Sequence, residues 1–255
     1  MMLYPSITIS DHLLNLAIKP DDTVMIHGDA GIASQYIYKN DHDAITNFFS
    51  ELKSYLCDGT IIVPSFTYSA TKGEVFDVHN TPSAVGLFSE KFRLLDGVQR
   101  SQHPIFSICA LGKCADYFTS ARVDDCFGEG TFFDRVYNQN VKIVTLGCAL
   151  ERATFVHYVE QKLNISYRYF KNFTAKVLNS GTENNFDICY FVRDLKLNTE
   201  LNLSLFEYEA LKRDKIIIKP FGRFKARSIY SKDFFRVASN LIYKNEYALI
   251  GEYNS

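Results

Sequence analysis

Residues 23–64, TVMIHGDAGIASQYIYKNDHDAITNFFSELKSYLCDGTIIVP, decide the fold class of this chain. The first five residues of the stretch and the last five are apolar enough for buried strands, and between them apolar side chains recur at positions 45, 48, 49, 52 and 56. That spacing is the 3.6-residue period of a helix with one buried face, which Asp43 can cap and Asp58-Gly59 can end. A strand, a helix and a strand in this order predict a parallel sheet covered by helices.

The same alternation continues toward the C-terminus. It predicts helices near residues 83–95 and from about Thr154, strands near residues 105–111 and 141–146, and a last helix capped by Ser231. The chain therefore continues as an α/β protein.

Residues 173–219 have a different pattern. Segments 173–178, 186–192 and 215–219 either alternate apolar and polar side chains or are rich in β-branched residues, which favours antiparallel strands. We expect one α/β domain, residues 1–255, with a mainly parallel central sheet plus an antiparallel excursion.

The composition excludes several classes of protein. Hydrophobic residues make up 47% of the chain and charged residues 22%, which rules out a collagen-like or wholly disordered chain. A net charge of −1 gives no overall field that would recruit nucleic acid or an anionic membrane. No apolar run approaches the roughly 20 residues that span a bilayer. We expect neither nucleic acid nor a membrane as a partner.

The cellular compartment is predicted from the N-terminus and the cysteines. Residues 1–8, MMLYPSIT, lack the basic and apolar regions of a signal peptide. Six cysteines are scattered without a CxxC pair, as is typical of reduced thiols in a cytoplasmic protein. The sequence leaves open whether the chain forms a homo-oligomer.

Polar residues at the predicted strand ends are the candidates for a functional site, because open α/β sheets bind their ligands there. The sequence contains no P-loop, no GxSxG elbow and no ligand spacing typical of a closed zinc site. The strand ends carry His27 and the segments 64–67, 100–107 and 147–151. Taken singly, each of them is more often a structural residue than a ligand contact.

His157 and Glu160 form the strongest candidate pair. Three residues apart on a predicted helix, they share a face, and a carboxylate beside an imidazole raises its proton affinity, as a general base near neutral pH requires. The flanking Val156 and Val159 indicate that this helix is largely buried, and a buried polar pair needs a reason to be there. The alternative is an ordinary pair of polar residues on a helix surface.

Seven motifs occur along the chain in a specific order. They are VMIH at 24–27, GTIIVPSFT at 59–67, FD at 76–77 with TP at 81–82, RSQHPIFS at 100–107, FGEGT at 127–131, LG at 146–147 and TFVHYVE at 154–160. Together they resemble the aminoglycoside 3-N-acetyltransferase family, also called the antibiotic N-acetyltransferase family, from about residue 10 to 245. The fourth and the last motif are the most specific.

The resemblance implies a fold and an activity. The fold would be a three-layer α/β/α arrangement, unrelated to that of the GNAT acetyltransferases. The activity would be transfer of an acetyl group from acetyl-CoA to an amine of a sugar, without a metal ion. Because a thioester is already activated, such an enzyme needs a base for the amine, an oxyanion donor and correct positioning of two substrates.

The resemblance also implies roles for individual residues. His157 would deprotonate the acceptor amine, Glu160 matches the acid of the family's motif, and Glu151 stands where the family often has aspartate. The residues expected to line the CoA channel are His27, Ser65, Thr67, Arg100, His103, Ser107, Gly128 and Thr131. Backbone N–H groups, small hydroxyls and a cation are what the pantetheine amides and the phosphates of CoA require.

Cys148 offers a second route, in which its thiolate is acylated first and His157 serves as its base. A cysteine directly after a strand is more often a small core residue. We therefore expect direct transfer without a covalent intermediate.

Two features favour a nucleotide-linked amino sugar as the acceptor. The segment TYSATKGEVFD at 67–77, which ends in Asp77, looks less like the resistance enzymes of the family than like relatives that act on sugars for cell-surface glycans. Residues 212–236 carry nine Lys or Arg against two Asp, and Arg223, Lys225 and Arg227 would share one face of a strand. A diphosphate suits such a basic face, whereas an aminoglycoside is a polycation that acids bind best.

Several alternatives stay open for this basic stretch and for the chain. The stretch could be a solvated edge strand, or it could bind the phosphates of CoA. The acceptor could be an aminoglycoside, which would make the protein a resistance enzyme. The chain could also be a non-catalytic relative that keeps the fold as a binding module, although the joint presence of His157, Glu160, His103 and Ser107 argues against this.

Overall fold

Two sheets organise the chain in the computed structural model, which describes residues 8–36 and 43–251. The strands are β1 (Thr23–Gly28), β2 (Thr60–Pro64), β3 (Phe76–Asp77), β4 (Gln99–Arg100), β5 (Ile108–Gly112), β6 (Lys142–Leu146), β7 (Arg168–Asn179), β8 (Thr182–Arg193), β9 (Ile216–Phe221) and β10 (Phe224–Tyr230). Seven of them form a sheet in the order β4-β5-β2-β1-β6-β10-β9, and β3, β7 and β8 form a second, smaller sheet. The interpretation of residues 1–8 as free of a signal peptide falls outside the described residues, except for Thr8.

Helices flank these strands. They are α1 (Ile9–Asn15), α2 (Ala44–Tyr55), α3 (Ser69–Lys72), α4 (Leu87–Arg93), α5 (Ala115–Thr119), α6 (Phe132–Asn138), α7 (Val156–Lys162), α8 (Ser204–Lys212) and α9 (Ser231–Lys244). Two short 3-10 helices span Ala30–Gln35 and Leu150–Arg152. Within the described ranges, no helix combines the length and the apolar character that crossing a bilayer requires.

The strand–helix–strand unit predicted from residues 23–64 is present. β1 pairs in parallel with β2 on one side and with β6 on the other. Asp43 caps α2 by accepting a hydrogen bond of 3.0 Å from the Thr46 N–H, and Phe48 and Leu52 lie fully buried on the helix face that the spacing predicted. Gly59 follows the helix because a Cβ there would collide with the carbonyl oxygen of Asp22.

Toward both edges of the large sheet the pairing is antiparallel, between β2 and β5 and between β6 and β10. The predicted strand at 105–111 begins only at Ile108, because the preceding residues turn back toward the end of β2 and the Ser107 carbonyl accepts the Ser65 N–H at 2.9 Å. The first two segments of the predicted antiparallel excursion form the β7–β8 hairpin, whose 12-residue strands pair throughout. The third segment, 215–219, differs from the prediction because it forms β9 at the edge of the large sheet, where it pairs antiparallel with β10. The predicted fold class, a mainly parallel central sheet plus an antiparallel excursion, is confirmed.

Two apolar clusters lie on opposite faces of the large sheet. In β1, Val24 and Ile26 pack with buried residues of α1, α2 and α4, whereas Met25 packs with buried residues of α5, α6, α7 and α9. Since successive side chains of a strand point to opposite faces, this alternation places one helical layer on each side of the sheet. The result is a three-layer α/β/α arrangement.

The start of α9 differs from the prediction that Ser231 caps it. Ser231 is the first residue of the helix, and its hydroxyl donates a hydrogen bond of 2.8 Å to the carbonyl of Val136. The hydroxyl therefore ties α9 to α6, and Tyr230 instead of Ser231 occupies the capping position. Phe234 and Ala238 are fully buried on the predicted inner face.

Candidate active site

A cavity of about 740 Å³ lies at the carboxyl ends of the three parallel strands. His27 at the end of β1, Pro64 at the end of β2 and Cys148 just after β6 line it, together with the first turn of α4. His157 of α7 also lines it. Because parallel strands end at the same edge of a sheet, residues far apart in the sequence meet here.

The imidazole of His157 has its two close polar contacts at the same nitrogen. Nδ1 lies 2.6 Å from Glu160 Oε2 and 2.9 Å from Nη2 of Arg168. Among the described residues no partner contacts Nε2, and the side chain is 18% exposed. With the Nδ1 proton directed at the carboxylate, Nε2 has a free lone pair with which to take a proton.

Glu160 is fully buried behind His157, and donors surround its carboxylate. Oε1 accepts a hydrogen bond of 2.9 Å from the hydroxyl of Tyr167. Oε2 forms an ion pair with Arg168, whose Nε lies 2.8 Å away. The N–H of this Nε does not point at the oxygen closely enough for a hydrogen bond. Arg168 is itself held in place, because Nη1 donates to the carbonyl of Phe191 at 3.3 Å.

Burial and charge set the protonation of this group of side chains. Burial lowers the pKa of His157, and the Arg168 cation lowers it further, against the opposing effect of Glu160. Burial alone would raise the pKa of Glu160, but His157 and Arg168 hold it below its usual value. The imidazole is therefore uncharged and the carboxylate is charged near neutral pH, which is the pairing that a general base requires.

Two carboxylates and one cation, from Asp29, Glu151 and Arg152, form the charged part of the cavity lining. Asp29 accepts the Gly31 N–H at 2.7 Å, Glu151 accepts the Leu203 N–H at 3.0 Å, and Arg152 lies beside Glu151. Gly147 starts this loop with a φ of +73°, a conformation that a side chain would strain.

Cys148 lies at the cavity, but its environment does not favour a thiolate. Its Sγ donates to the carbonyl of His27 at 3.3 Å, and burial raises the pKa of the thiol to about 11. A nucleophilic cysteine needs the opposite shift. Within the described chain the thiol has no hydrogen bond to His157, so the acyl-cysteine route has no geometric support.

Of the residues predicted to contact CoA, His27 lies at the cavity. It is nearly fully buried, and burial lowers its pKa to about 3, so the ring is neutral. Its Nε2 is buried and has no hydrogen-bond partner among the described residues.

Ser65, Thr67 and Ser107 lie in the interior beside the cavity and do not line it. Ser65 Oγ donates to the Ser107 carbonyl at 3.2 Å, and Ser107 Oγ donates to the Ser65 carbonyl at 2.7 Å. Thr67 Oγ1 donates to the Pro104 carbonyl at 3.1 Å. These hydroxyls fasten the loop after β2 to the segment before β5.

Arg100 and His103 also bind backbone. The Arg100 guanidinium donates to the carbonyls of Val78, Thr81 and Ser65 at 2.6–3.1 Å. His103 Nδ1 accepts the N–H groups of residues 105 and 106, and burial lowers its pKa to about 4. Both side chains organise the loops around the cavity without lining it.

Gly128 and Thr131 form a turn outside the cavity lining. The Gly128 N–H donates to Asp125 Oδ1 at 2.8 Å, and Thr131 Oγ1 donates to the Gly128 carbonyl at 2.7 Å. Asp77, predicted to contact the acceptor, closes another turn by accepting the N–H groups of His79 and Asn80 at 2.9 Å.

The predicted basic face does not form beside the cavity. Arg227 pairs with Glu207 and donates to the Cys148 carbonyl at 3.1 Å, so a carboxylate neutralises its charge. Arg223 lies in the turn before β10 and donates to Ser34 Oγ at 3.2 Å. Lys225 is exposed, and none of the three basic residues lines the cavity.

Sequence reasoning missed Arg168 and Tyr167, which contact Glu160, and Asp29 and Arg152, which line the cavity. Asp29 could have been found, because it follows a predicted strand directly. No pattern in the sequence marks Arg168, since its contact with His157 joins β7 to α7. Among the described residues, no group of three or more His, Cys, Asp or Glu side chains is arranged to hold a metal ion.

Comparison with known proteins gives one family and one fold. The family model described as aminoglycoside 3-N-acetyltransferase matches residues 42–242. No curated protein sequence is significantly similar to the chain.

Solved structures of aminoglycoside acetyltransferases share this fold. The AAC(3)-IVa apoenzyme is 20% identical with a TM-score of 0.77, and the match covers 99% of this chain and 94% of that one. A mutant of that enzyme in complex with a gentamicin is 21% identical over the same shares, with a TM-score of 0.77. AAC-IIIb in a binary complex with CoASH is 18% identical with a TM-score of 0.77, over 92% of this chain and 94% of that one.

Proposed function

The chain belongs to the aminoglycoside 3-N-acetyltransferase family, and on that premise we propose that it transfers an acetyl group from acetyl-CoA to an amine of an aminoglycoside. The protein is an acyltransferase, and acetyl-CoA is its co-substrate. The acceptor amine and the residues that act on it are inferred from the site.

The observation that carries the proposal is the state of His157 at the cavity. Its Nε2 is free, its Nδ1 is 2.6 Å from a buried carboxylate, and its pKa is held down by burial and by Arg168. An uncharged imidazole with a free nitrogen facing a substrate cavity meets the requirements of a general base. Such a base supports a catalytic protein rather than a non-catalytic binding relative.

The chemical step follows from this geometry. The Nε2 of His157 takes a proton from the acceptor amine as the nitrogen attacks the thioester carbonyl, so a C–N bond forms. The C–S bond then breaks, and the proton passes from His157 to the CoA sulfur. Glu160, 2.6 Å from Nδ1, stabilises the imidazolium in between.

The chemical character of the cavity lining suits the co-substrate. Phe66, Leu87 and Phe88 give it an apolar wall, and His27 and Thr154 give it polar groups. The pantetheine arm of CoA carries both alkyl and amide groups, so it requires both kinds of lining. The loops that the predicted hydroxyl residues fasten together would position this wall rather than contact CoA through those hydroxyls.

An aminoglycoside is a better acceptor for this cavity than a nucleotide-linked amino sugar. Asp29 and Glu151 line the cavity, and carboxylates attract a polycation. The argument for a diphosphate rested on Arg223, Lys225 and Arg227, which do not face the cavity together. One complex of the relative AAC(3)-IVa holds a gentamicin and another holds apramycin, which also favours the aminoglycoside.

The test is a release assay for free CoA, with mass spectrometry of the products. The purified enzyme is incubated with acetyl-CoA and gentamicin, apramycin or a nucleotide-linked amino sugar. We expect acetylation of an aminoglycoside and none of the nucleotide sugar. The opposite pattern would restore the nucleotide-linked acceptor, and no acetylation of any amine would refute the proposal.

A variant links the activity to the residue. His157→Gln should lower kcat by roughly 100-fold or more while CoA binding, measured by calorimetry, stays unchanged. His79→Gln changes an exposed histidine in the turn after β3 and serves as the matched control. Wild-type turnover by His157→Gln would show that another group removes the proton.

A further inference from the structure

The geometry around His157 Nδ1 contains a conflict between two partners. Glu160 Oε2 at 2.6 Å can only accept a proton, and Arg168 Nη2 at 2.9 Å can only donate one. A single imidazole nitrogen cannot satisfy both at once. Nδ1 either carries a proton for Glu160 or offers a lone pair to Arg168.

The two arrangements differ in their chemistry. With the proton on Nδ1 and directed at Glu160, Nε2 is the free nitrogen and His157 can act as a base. With Nδ1 accepting from Arg168, the proton of a neutral ring lies on Nε2, and Glu160 is left to Arg168 and Tyr167. When both nitrogens carry protons, the imidazolium lies against a buried guanidinium, which disfavours that form.

We propose that Arg168 is a positioning residue of the acetyl transfer: it competes with His157 for Glu160 and so keeps the imidazole uncharged between turnovers. The inference deepens the proposed function, because it rests on His157 as the base. A cation at this place favours the release of the proton from His157 to the CoA sulfur, which leaves the imidazole uncharged for the next turnover. It also prevents Glu160 from holding His157 permanently as an ion pair.

Other charged groups reach His157 from the neighbouring elements. From β8, Arg193 acts in the same direction as Arg168 and opposes a charged ring, but at a smaller magnitude. Across the cavity lie Glu151, Arg152 and Asp29, and the ring edge of Phe127 packs against the imidazole with centroids 5.8 Å apart. Arg168 differs from all of these because it contacts the imidazole and its carboxylate together.

Arg168 is also a candidate for a purely structural role, since it is nearly fully buried and paired with Glu160. Loss of such a pair destabilises a protein in any case. The experiment therefore needs a readout that stability alone would not move. The pKa of His157 provides it.

The test is a pH titration of His157 by nitrogen-15 NMR in the protein without substrates, where His157→Gln identifies the signal. In the wild type, we expect the pKa of His157 below about 6.5, the usual value of a histidine. In Arg168→Gln, the pKa of His157 should rise by about one unit or more. Arg168→Lys keeps a cation and should stay closer to the wild type.

Kinetics supply the second readout. If the pKa of His157 rises by one unit in Arg168→Gln, less of the imidazole is uncharged at acid pH. Relative to the wild type, kcat/KM of this variant should then fall by up to about tenfold more at pH 6 than at pH 8. Tyr167→Phe removes a hydrogen bond from the other carboxylate oxygen and leaves Arg168 in place, so it controls for a disturbed Glu160. Tyr167→Phe should not produce this larger loss of kcat/KM at pH 6 than at pH 8.

The outcomes separate this inference from the proposed function. A wild-type pKa of His157 above 6.5, or an unchanged pKa in Arg168→Gln, overturns the role of Arg168 even if the enzyme acetylates aminoglycosides. If no amine is acetylated, the titration still measures the coupling between Arg168 and His157. If Arg168→Gln does not fold, the pKa of His157 is measured in the wild type and in Arg168→Lys. A pKa of His157 above 6.5 in either protein refutes the inference.

Discussion

Replacing Glu160 with glutamine removes the charge behind His157 while keeping the shape of the side chain. The amide oxygen can take the place of Oε2 and accept from His157 and Arg168. The amide NH₂ then faces Tyr167, whose hydroxyl can turn and accept a hydrogen bond. The variant therefore tests charge rather than packing.

The magnitude follows from the kind of hydrogen bond that is lost. A hydrogen bond to a charged group contributes about 1.5–3 kcal/mol and a neutral one about 0.5–1.5, so the imidazolium loses about 1–2 kcal/mol of stabilisation. That difference corresponds to a fall in kcat of roughly 5- to 30-fold. Arg168 is left as a buried cation without its counter-charge, which should lower the free energy of unfolding by about 3–5 kcal/mol.

The assay combines CoA release at saturating substrates with urea unfolding. Glu183→Gln is the matched control, because it breaks an ion pair with Lys176 whose side chains are 49% and 59% exposed. Such exposed pairs contribute little, so neither kcat nor stability should change measurably. Wild-type kcat and stability in Glu160→Gln would refute the reasoning, since a carboxylate that stabilises the imidazolium and balances Arg168 cannot be neutralised without effect.

Three further predictions concern other parts of the site. Cys148→Ser should keep most of the activity, and no acetyl label should remain on wild-type protein incubated with acetyl-CoA alone; a labelled Cys148 would restore the covalent route. Between pH 6.5 and pH 5, urea unfolding should show that the free energy of unfolding falls by about 3 kcal/mol through His27 and His103, because unfolded histidines bind protons near pH 6.5 and these two bind them only near pH 3 and pH 4; a flat profile would contradict their burial as neutral rings. Gly147→Ala should lower the free energy of unfolding by about 1–2 kcal/mol, measured the same way, because the residue has a φ of +73°; an unchanged value would show that the loop relaxes.

The parts of this molecule that could be predicted from the sequence are those with a local cause. α2 follows from the helical spacing of its apolar residues, and its start follows from Asp43, whose carboxylate reaches an N–H only three residues away. His157 and Glu160 are also local neighbours, and the helix that was predicted for them brings them to 2.6 Å. Sequence patterns work here because the interacting groups lie within one turn of a helix.

Several residues that were predicted to contact CoA hold backbone groups and do not line the cavity, and they share a physical reason. Ser65, Ser107 and Arg100 are polar residues at strand ends, as ligand contacts often are, but the bends of the chain beside β2 and β5 leave carbonyl groups that need donors in the interior. A side chain that satisfies buried backbone and one that binds a ligand are of the same residue types. Only the three-dimensional arrangement tells them apart.

The antiparallel hairpin contributes to the site at the point where it joins the rest of the chain. Arg168 is the first residue of β7 and pairs with Arg193, the last residue of β8. Both cations therefore lie at the open end of the hairpin, near His157 of α7. An imidazole must be uncharged to accept a proton, and the two cations favour that form, while Glu160 stabilises the imidazolium afterwards. Substitutions that displace the open end of the hairpin should therefore change the pH dependence of the reaction as well as the free energy of unfolding. If His157 is the base, as proposed, the small sheet contributes to the chemistry of the cavity, although none of its residues lines it.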